Sequence, residues 1–353
     1  MYEKMCDFQN LYNAHRAARK GKRGKREVIN FEMNLSQNLC ALQRQFQEKS
    51  YKPKGYTKFY VYEPKKRLIF APDYSDRVVQ HCLCDNILSP MLEPRLIYDN
   101  SACRIGKGTH FSIYRLSEFL GRFYREHKCE GYFLKCDIRK YFFSIDQSVL
   151  KAKLKKVFAD PDVFNLLCAI IDSYEVSDGI GLPLGNQASQ WFALYYLDSM
   201  DRLIKERLKI KYYTRYMDDF MLIHHDKEYL HHCLSTIKDY CKAALNVELN
   251  EKTQIFPIKN GVNYLGWHFY LSESGKVIRK LKNQSKKRIK GKLKLLRHEY
   301  STGNYDFDDV KRSLVSIHGH LLHGHTYRFR EAVYGKTKFV RSETARSANP
   351  NPV

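Results

Sequence analysis

A tight turn with two adjacent carboxylates is the feature that most limits how this chain can fold. The segment from Lys211 to Ile223 reads KYYTRYMDDFMLI, with β-rich runs on both sides of Met217-Asp218-Asp219. Such runs around a short polar centre predict a β-hairpin with the acids at its turn. A second apolar run, Gly131 to Asp137, predicts a buried strand that delivers another acid to the edge of a cleft.

Adjacent carboxylates repel each other, and a strand offers them no opposite charge nearby. The pair therefore favours a bound cation. Oxygen ligands select hard divalent ions such as Mg²⁺, and two ions about 4 Å apart can stabilise both the attacking and the leaving oxygen of a phosphoryl displacement. An Asp-Asp pair alone is weak evidence, because surface loops often contain one. The flanking strands add the context that predicts a two-metal site of Asp137, Asp218 and Asp219.

The charge balance indicates a partner. Lysine and arginine number 61 against 38 acidic residues, a net charge of +23. The summed field attracts a polyanion, so nucleic acid is the first partner to consider. Charge alone is equally compatible with a basic surface that aids solubility and with a structural RNA-binding protein. With 353 residues, 43% of them hydrophobic, the chain has room for two or three lobes.

Cysteine and hydropathy patterns bear on the compartment. The ten cysteines lack the paired spacing of a zinc site, and no stretch approaches the roughly 20 apolar residues that cross a bilayer. We therefore expect buried thiols, a cytoplasmic location and no membrane partner. Four histidines of a basic segment lack cysteine or carboxylate partners, so we expect them to pack, cap or touch phosphate. They are His318, His320, His323 and His325.

The N-terminal third combines a basic segment with amphipathic patterns. Ala14 to Arg26 is predicted to be too charged and flexible for a core helix and to contact a phosphate backbone. Phe31 to Lys49 predicts one amphipathic helix with Asn30 as its cap. Lys58 to Tyr62 and Leu68 to Ala71 predict a hairpin.

Further helices are predicted from the periodicity of three later segments. Apolar residues recur at helical spacing from Asp76 to Leu92 and from Ser189 to Leu208. Lys276 to Lys294 is basic and rich in helix formers, which predicts a separate C-terminal lobe whose helix lies along a nucleic-acid backbone.

In order and spacing, these segments resemble the conserved blocks of reverse transcriptases, over roughly residues 55 to 330. Tyr216-Met217-Asp218-Asp219 matches one of the most specific short signatures of that family. Further matches are the two fingers blocks Arg67 to Gln80 and Ala102 to Leu116, the first acid block Lys135 to Ile145, and the primer grip of Tyr264, Leu265, Gly266 and Trp267.

The resemblance implies a fold, an activity and a set of partners. The fold would be α+β, a right-hand polymerase with fingers and a basic N-terminal arm at 1–127, an antiparallel-sheet palm at 128–270, a helical thumb at 271–340 and a disordered tail at 341–353. The activity would be RNA-directed DNA polymerisation, which adds deoxynucleoside triphosphates to a primer 3′-hydroxyl. Template RNA and primer DNA would be the partners, and two Mg²⁺ ions, replaceable by Mn²⁺, the cofactors.

Residue roles follow from the same resemblance. Ile138 would join the three acids at the metals, and it and Arg139 would offer backbone groups to the nucleotide phosphates. Phe142 matches the steric gate that excludes a ribose 2′-hydroxyl, although it could instead be a core aromatic beside Tyr141 and Phe143. Three cations match residues that contact the incoming triphosphate, with template phosphate as the alternative contact; they are Arg104, Lys107 and Arg67.

Two further segments carry implied roles. Lys252 matches a lysine that protonates the leaving pyrophosphate, with a solvated lysine as the alternative. Leu184, Gly185 and Gln190 lie in the block LGNQASQ, which is implied to contact the nucleotide. Many relatives have glutamine where this chain has Leu184, and an aliphatic side chain cannot hydrogen-bond there. We therefore predict lowered fidelity at template adenine.

The same block indicates a subfamily. Its Ser-Gln pair is most similar to the reverse transcriptases of diversity-generating retroelements, whereas group II intron and retron enzymes usually have Ser-Pro. Antiviral-defence reverse transcriptases are close relatives and remain the alternative. Both would work with a noncoding RNA, and the retroelement subfamily implies a small accessory protein. An alternative of another class is a catalytically idle RNA-binding protein that keeps the fold.

Overall fold

The computed structural model of the protein describes residues 1–62, 65–174 and 178–342. The helices, in chain order, are α1 (Glu3–Cys6), α2 (Phe8–Ala18), α3 (Arg26–Met33), α4 (Leu35–Gln47), α5 (Tyr74–Leu83), α6 (Ser89–Leu92), α7 (Thr109–His127), α8 (Tyr141–Ser144), α9 (Gln147–Lys155), α10 (Pro161–Asp172), α11 (Gln187–Tyr196), α12 (Asp198–Arg202), α13 (Lys227–Leu245), α14 (Asn283–Ser301), α15 (Phe307–Leu322) and α16 (Tyr327–Tyr334). The strands are β1 (Tyr56–Val61), β2 (Arg67–Pro72), β3 (Tyr132–Cys136), β4 (Tyr212–Tyr216), β5 (Asp219–His224), β6 (Gln254–Pro257), β7 (Val262–Tyr264), β8 (Trp267–Leu271) and β9 (Val277–Leu281).

The strands of this described part form a two-stranded sheet β1-β2, a four-stranded sheet in the order β4-β5-β3-β6, and a three-stranded sheet β7-β8-β9. The chain divides into two compact units. Unit 1 comprises Met1–Gly108 and Leu134–Ile255, and unit 2 comprises Thr109–Phe133 and Phe256–Val353. The boundaries of fingers, palm and thumb remain predictions, and residues 343–353 of the predicted tail lie outside the described residues.

The N-terminal basic segment is more ordered than its composition suggests. Helix α2 continues to Ala18 and buries Leu11, Ala14 and Ala18 on one face. This face packs on α5. The prediction that Ala14 to Arg26 forms no core helix is therefore wrong up to Ala18. Leu11, Ala14 and Ala18 recur at helical spacing, and their burial outweighs the charge of the basic residues between them. The exposed turns that follow the helix retain the basic character.

The prediction of a single helix over Phe31 to Lys49 is also wrong. The chain forms α3 and α4 instead, with a break at Asn34, whose backbone (φ −125°, ψ 44°) is not helical. Asparagine favours such breaks because its side chain competes for backbone hydrogen bonds. Asn30 is accordingly inside α3 and caps neither helix.

The predicted hairpin of the N-terminal third is confirmed. Strands β1 and β2 are antiparallel, with Tyr56 opposite Pro72 and Val61 opposite Arg67. Apart from Tyr56, the residues of β1 are exposed, whereas β2 is partly buried. Residues 63 and 64 of the predicted turn lie outside the described residues.

The four-stranded sheet supports the predicted acids. Strands β4 and β5 are antiparallel from Tyr212 opposite Ile223 to Tyr216 opposite Asp219, which leaves Met217 and Asp218 as a two-residue turn. Strand β3 lies next to β5 and ends at Cys136, directly before Asp137. The α+β class and the hairpin predicted from Lys211 to Ile223 are therefore confirmed.

The long helix predicted for Ser189 to Leu208 is interrupted. Helix α11 ends at Tyr196, α12 begins at Asp198, and residues Leu203–Arg207 form a π-helical turn. All three pieces bury apolar residues, which explains why their periodicity looked continuous.

Unit 2 contains the sheet β7-β8-β9 together with α7 and the helices α14 to α16. The predicted basic helix of Lys276 to Lys294 begins only at Asn283. The five residues before Lys282 form β9, which pairs with β8 in antiparallel register from Leu271 opposite Val277. Helix α14 buries Ile289, Leu293 and Leu296 and turns most of its basic residues outward.

Within the described part of the chain, none of the helices combines the length and the apolarity that crossing a membrane would require.

Candidate active site

The turn between β4 and β5 holds the adjacent acids in a constrained backbone. Met217 has a φ of 59°, a left-handed conformation that is uncommon for residues other than glycine. Tyr216 pairs with Asp219 across the two strands and closes the hairpin around it. The backbone that carries the carboxylates of Asp218 and Asp219 is therefore fixed at the end of two buried strands.

Asp137 is fixed by a loop that runs alongside it. Its carbonyl accepts a hydrogen bond of 2.7 Å from the amide of Asn250, and its Oδ2 accepts a longer bond of 3.3 Å from Asn250 Nδ2. The next residue, Ile138, is buried and pairs with Leu249 in an antiparallel bridge. Both the main chain and the carboxylate of Asp137 are thereby oriented by the same short segment.

Asp137 and Asp218 are electrostatically coupled. Burial, followed by the charge of Asp137, raises the pKa of Asp218 to about 6, and a hydrogen bond between the two carboxyl groups acts in the same direction. Two carboxylates that share one site cannot both ionise freely. The structure therefore brings together two of the three predicted acids and leaves a local excess of negative charge.

The third acid lies beside a lysine. Lys135 Nζ, on the neighbouring strand β3, donates a hydrogen bond of 3.1 Å to Asp219 Oδ2, and both side chains are about one quarter exposed. Among the described residues, no three carboxylate, imidazole or thiol groups are already gathered as they would be in a preformed metal site. A cation bound by all three acids would therefore compete with Lys135 for Asp219.

The predicted steric gate lies just past Asp137. Lys140 (φ 46°) turns the chain into the short helix α8. The neighbouring Tyr141 is fully buried, and its hydroxyl donates to the carbonyl of Ala193. Phe142 is only partly buried, and its carbonyl accepts a hydrogen bond of 2.7 Å from Leu182. Tyr141 is therefore the core aromatic of this segment, which favours the gate interpretation of Phe142; that role remains a prediction.

The block containing Leu184 and Gly185 lies against the β1-β2 hairpin. The amide of Phe70 donates a 2.7 Å hydrogen bond to the carbonyl of Leu184. Gly185 has a φ of 110°, and a Cβ there would lie 2.8 Å from Ile69 Cγ2. Packing against β2 thus explains the glycine without a nucleotide. Gln190 is half-buried on α11, and nucleotide contacts from this block remain predictions.

Arg104 is committed to its own loop. The side chain is 9% exposed; Nε donates to Glu93 Oε1 at 2.8 Å, and Nη1 donates to the carbonyls of Ile97 and Asn100 at 2.7 and 2.6 Å. A phosphate would have to displace these partners to reach the guanidinium, and the triphosphate contact of Arg104 remains a prediction. The sequence could not show these contacts, because Glu93 and the two carbonyls belong to a segment that carries no motif.

The other predicted phosphate contacts differ in accessibility. Arg67 and Lys252 are exposed. Lys107 Nζ donates to the carbonyl of Tyr98 at 2.5 Å and lies 4.3 Å from the centroid of that ring. The amide of Arg139 donates to the carbonyl of Glu248 at 2.9 Å, which argues against its predicted use for phosphate. The bridge between Ile138 and Leu249, in contrast, does not use the amide of Ile138.

The primer-grip segment forms a tight hairpin in unit 2. Tyr264 lies opposite Trp267 at the ends of β7 and β8. The two residues between them, Leu265 (φ 44°) and Gly266 (φ 89°), both have positive φ, as a two-residue hairpin turn requires. Tyr264 and Trp267 are fully buried, so this segment would act on a primer through its backbone turn.

Residues 52–269, well over half of the chain, match the family described as reverse transcriptase (RNA-dependent DNA polymerase). The chain belongs to the reverse transcriptase family. The resemblance seen in the sequence is thereby confirmed at the level of the family.

Solved structures with a similar fold include telomerases. The telomerase of Candida albicans, in complex with a TWJ fragment of telomeric RNA, is 14% identical, with a TM-score of 0.50 over 73% of this reverse transcriptase and 52% of the telomerase chain. The corresponding complex from Candida tropicalis is 14% identical, with a TM-score of 0.48 over 78% and 54% of the two chains. This chain spans about half the length of these telomerases, and the likeness to the C. albicans enzyme shows the fold alone. No curated protein matches the sequence.

Four residues that shape the reverse transcriptase site carried no recognised signal in the sequence. Lys135 contacts Asp219, and Asn250 contacts Asp137. Arg215 and Asp201 form a fully buried ion pair next to the turn. A charged residue inside an otherwise apolar strand, such as arginine in Tyr212–Tyr216, was the available clue, because a buried charge needs a partner.

Proposed function

We propose that this chain is a polymerase that adds deoxynucleoside triphosphates to the 3′-hydroxyl of a primer paired with template RNA. The observation that carries the proposal is the partly buried, hydrogen-bonded pair of Asp137 and Asp218 at the ends of β3 and the β4-β5 turn, in a chain of the reverse transcriptase family. Two acids with one strongly raised pKa have unfavourable electrostatics on their own, which a substrate-linked cation would relieve.

The residues fit divalent cations such as Mg²⁺ or Mn²⁺. Magnesium is typically held by one or two carboxylates together with substrate phosphates, and Asp137 and Asp218 supply two hard oxygen donors in a coupled pair. Asp219 and the Ile138 carbonyl would complete the set. When bound, the ions would stabilise the attacking and leaving oxygens of the phosphoryl transfer.

The remaining roles belong to this chain's own side chains. The Phe142 ring would exclude a ribose 2′-hydroxyl by volume, and it is partly exposed as such a role requires. Lys252, exposed in the turn after Asn250, would donate a proton to the departing pyrophosphate. Arg67 and Lys107 would attract the triphosphate, with Arg67 the more accessible of the two.

Nucleic-acid binding is supported by the charge distribution in unit 2. Helix α14 buries three apolar residues and exposes a row of cations, namely Lys287, Arg288, Lys290, Lys292, Lys294 and Arg297. Such a face suits the phosphate backbone of a template and primer, because each neutralised phosphate releases counterions. Binding should therefore weaken steeply with salt.

The biological setting is proposed from the block LGNQASQ. Its Ser-Gln pair supports a diversity-generating retroelement, in which the enzyme would act with a noncoding RNA and a small accessory protein; the alternative is an antiviral-defence enzyme. The ten free cysteines are compatible with the reducing cytoplasm.

Replacing Leu184 by glutamine should reduce misincorporation opposite template adenine in sequenced products, and an unchanged error spectrum would exclude the proposed role of Leu184.

The function is tested by primer extension on an RNA template with Mg²⁺ and deoxynucleotides. Wild type is compared with Asp218→Asn plus Asp219→Asn, and with Asp239→Asn, an exposed acid of α13, as the control. We expect extension by wild type and the control and none by the double variant. Extension that survives the loss of both acids would contradict the proposed site. RNA binding without extension by any variant would favour an idle RNA-binding protein.

A further inference from the structure

A fully buried arginine precedes the catalytic turn. Arg215 lies on β4 and is 0% exposed. A buried charge costs several kcal/mol unless it is paired and hydrogen-bonded. Here Nε donates to Asp201 Oδ1 at 2.7 Å and Nη2 donates to Asp201 Oδ2 at 2.5 Å, a bidentate pair that the hydroxyl of Tyr213 extends with a 2.5 Å bond to Oδ1. The arginine is therefore held rigidly from one side.

The other donors of this guanidinium reach the turn and the helix beside it. Nη1 donates to the carbonyl of Met217 at 2.8 Å, and Nη2 also donates to the carbonyl of Leu194 on α11 at 3.1 Å. The carbonyl of Met217 belongs to the peptide group whose nitrogen is that of Asp218. A rigid charged donor thus holds the peptide that leads directly into the proposed metal-binding acid.

The main chain of Arg215 is fixed as well. Its amide donates to the carbonyl of Asp99, and its carbonyl accepts from the amide of Ser101, both at 3.1 Å. Because Met217 adopts a left-handed backbone, its peptide could relax by rotation if the hydrogen bond to its carbonyl were lost. Rotation of this peptide would turn the Asp218 carboxylate away from Asp137.

We propose that Arg215 is a positioning residue of the catalytic turn, which orients Asp218 by holding the carbonyl of Met217. Pairing with Asp201 already compensates the charge of Arg215, so the hydrogen bond to the carbonyl of Met217 is not needed for that purpose. This hydrogen bond instead orients the turn. The inference rests on the proposed roles of Asp137 and Asp218. It extends the site to Asp201, which anchors the guanidinium without approaching the substrate side of the turn.

The test separates orientation from stability. Arg215→Met combined with Asp201→Leu removes both charges and leaves apolar side chains of similar volume, an exchange that buried ion pairs often tolerate. Tyr196→Phe, which removes a buried hydroxyl that donates to Leu245, is the control for a loss of stability elsewhere in unit 1. For each protein, we would measure Tm, kcat and KM for a deoxynucleotide, and Mg²⁺ binding by calorimetry.

We expect the double variant to keep a Tm near that of wild type and a similar KM, while kcat falls about 100-fold, as a displacement near 1 Å can cause. Mg²⁺ binding should weaken in parallel, and Tyr196→Phe should lower Tm without this loss of kcat. A double variant with kcat within about threefold of wild type would overturn the proposal. So would an equal loss of kcat in Tyr196→Phe.

Two further outcomes remain decisive. If the double variant does not fold, Arg215→Lys takes its place with the same expectations, because it keeps the charge but replaces the fork that spans Asp201 and Met217 with a single nitrogen. If wild type fails to extend any primer, the proposed function fails, and the calorimetric comparison still decides whether Arg215 orients the acids. Equal Mg²⁺ affinity in wild type and variant would then exclude that role.

Discussion

Replacement of Gly185 by alanine should destabilise unit 1 strongly, and the structure gives the reasons separately. The φ of Gly185 is 110°, and a new Cβ would lie 2.8 Å from Ile69 Cγ2 and 3.2 Å from the carbonyl oxygen of Phe70. A side chain in such a backbone conformation costs about 1–3 kcal/mol, and overpacking costs about 1–3 kcal/mol more. The expected loss in the free energy of unfolding is therefore about 2–6 kcal/mol.

Two glycines provide matched controls. Gly179 has a φ of 78° with nothing within 4 Å of a built Cβ, so Gly179→Ala should carry only the backbone cost of about 1–3 kcal/mol. Gly121 lies in α7 of unit 2, also with open space, and Gly121→Ala should stabilise unit 2 by up to about 1 kcal/mol through helix propensity.

The assay is urea unfolding followed by circular dichroism and by tryptophan fluorescence, in which Trp191 on α11 reports on unit 1. Because only a Cβ at Gly185 would meet β2, we expect Gly185→Ala to lose clearly more stability than Gly179→Ala. A loss within about 0.5 kcal/mol of Gly179→Ala would show that the contact with β2 has no energetic weight, and the packing explanation of Gly185 would be refuted.

Three further predictions concern the acids and the gate. Phe142→Ala should lower the preference for deoxynucleotides over ribonucleotides at least about tenfold in kcat/KM, whereas Phe143→Ala should not; equal effects would exclude the gate. Lys135→Met should lower the Mg²⁺ concentration for half-maximal extension, because the lysine competes with a cation for Asp219; an unchanged or higher requirement in a Mg²⁺ titration would contradict this. Asp218 has a folded pKa of about 6 against 3.8 in the unfolded chain, so the stability it contributes is present below about pH 4 and lost as pH rises through 6. In EDTA, Asp218→Asn should therefore raise the free energy of unfolding relative to wild type above pH 6, by up to about 3 kcal/mol, and not at pH 4; a gain that is the same at both pH values would show that the raised pKa is not its cause.

Local patterns allowed much of the site to be predicted. A two-residue hairpin needs only alternating β-rich runs and a polar centre, so the turn holding Asp218 was readable from thirteen consecutive residues. A short apolar run predicted β3 and the position of Asp137 for the same reason. These elements depend on residues close in sequence, which is where pattern arguments are strongest.

The remaining features depend on partners distant in sequence. The sequence around Arg104 matches that of a phosphate ligand, but Glu93 and two carbonyls already accept hydrogen bonds from its guanidinium. The pairing of Arg215 with Asp201 joins a strand to a helix fourteen residues away, and no motif marks it. The break at Asn34 was missed because a helix that resumes at once keeps nearly the same apolar period. In each case tertiary packing, which the sequence states only indirectly, decided the outcome.

The central claim is that Asp137 and Asp218 form the catalytic centre. It is tested most directly by the rate of adding the first deoxynucleotide in a single turnover on an RNA template, over a range of Mg²⁺ concentrations, for wild type and Asp137→Asn. Template and primer binding and Tm are measured on the same samples. We expect the rate to fall at least about 100-fold, with unchanged template and primer binding and a Tm no lower than that of wild type. A rate within about tenfold of wild type at saturating Mg²⁺ would contradict the claim.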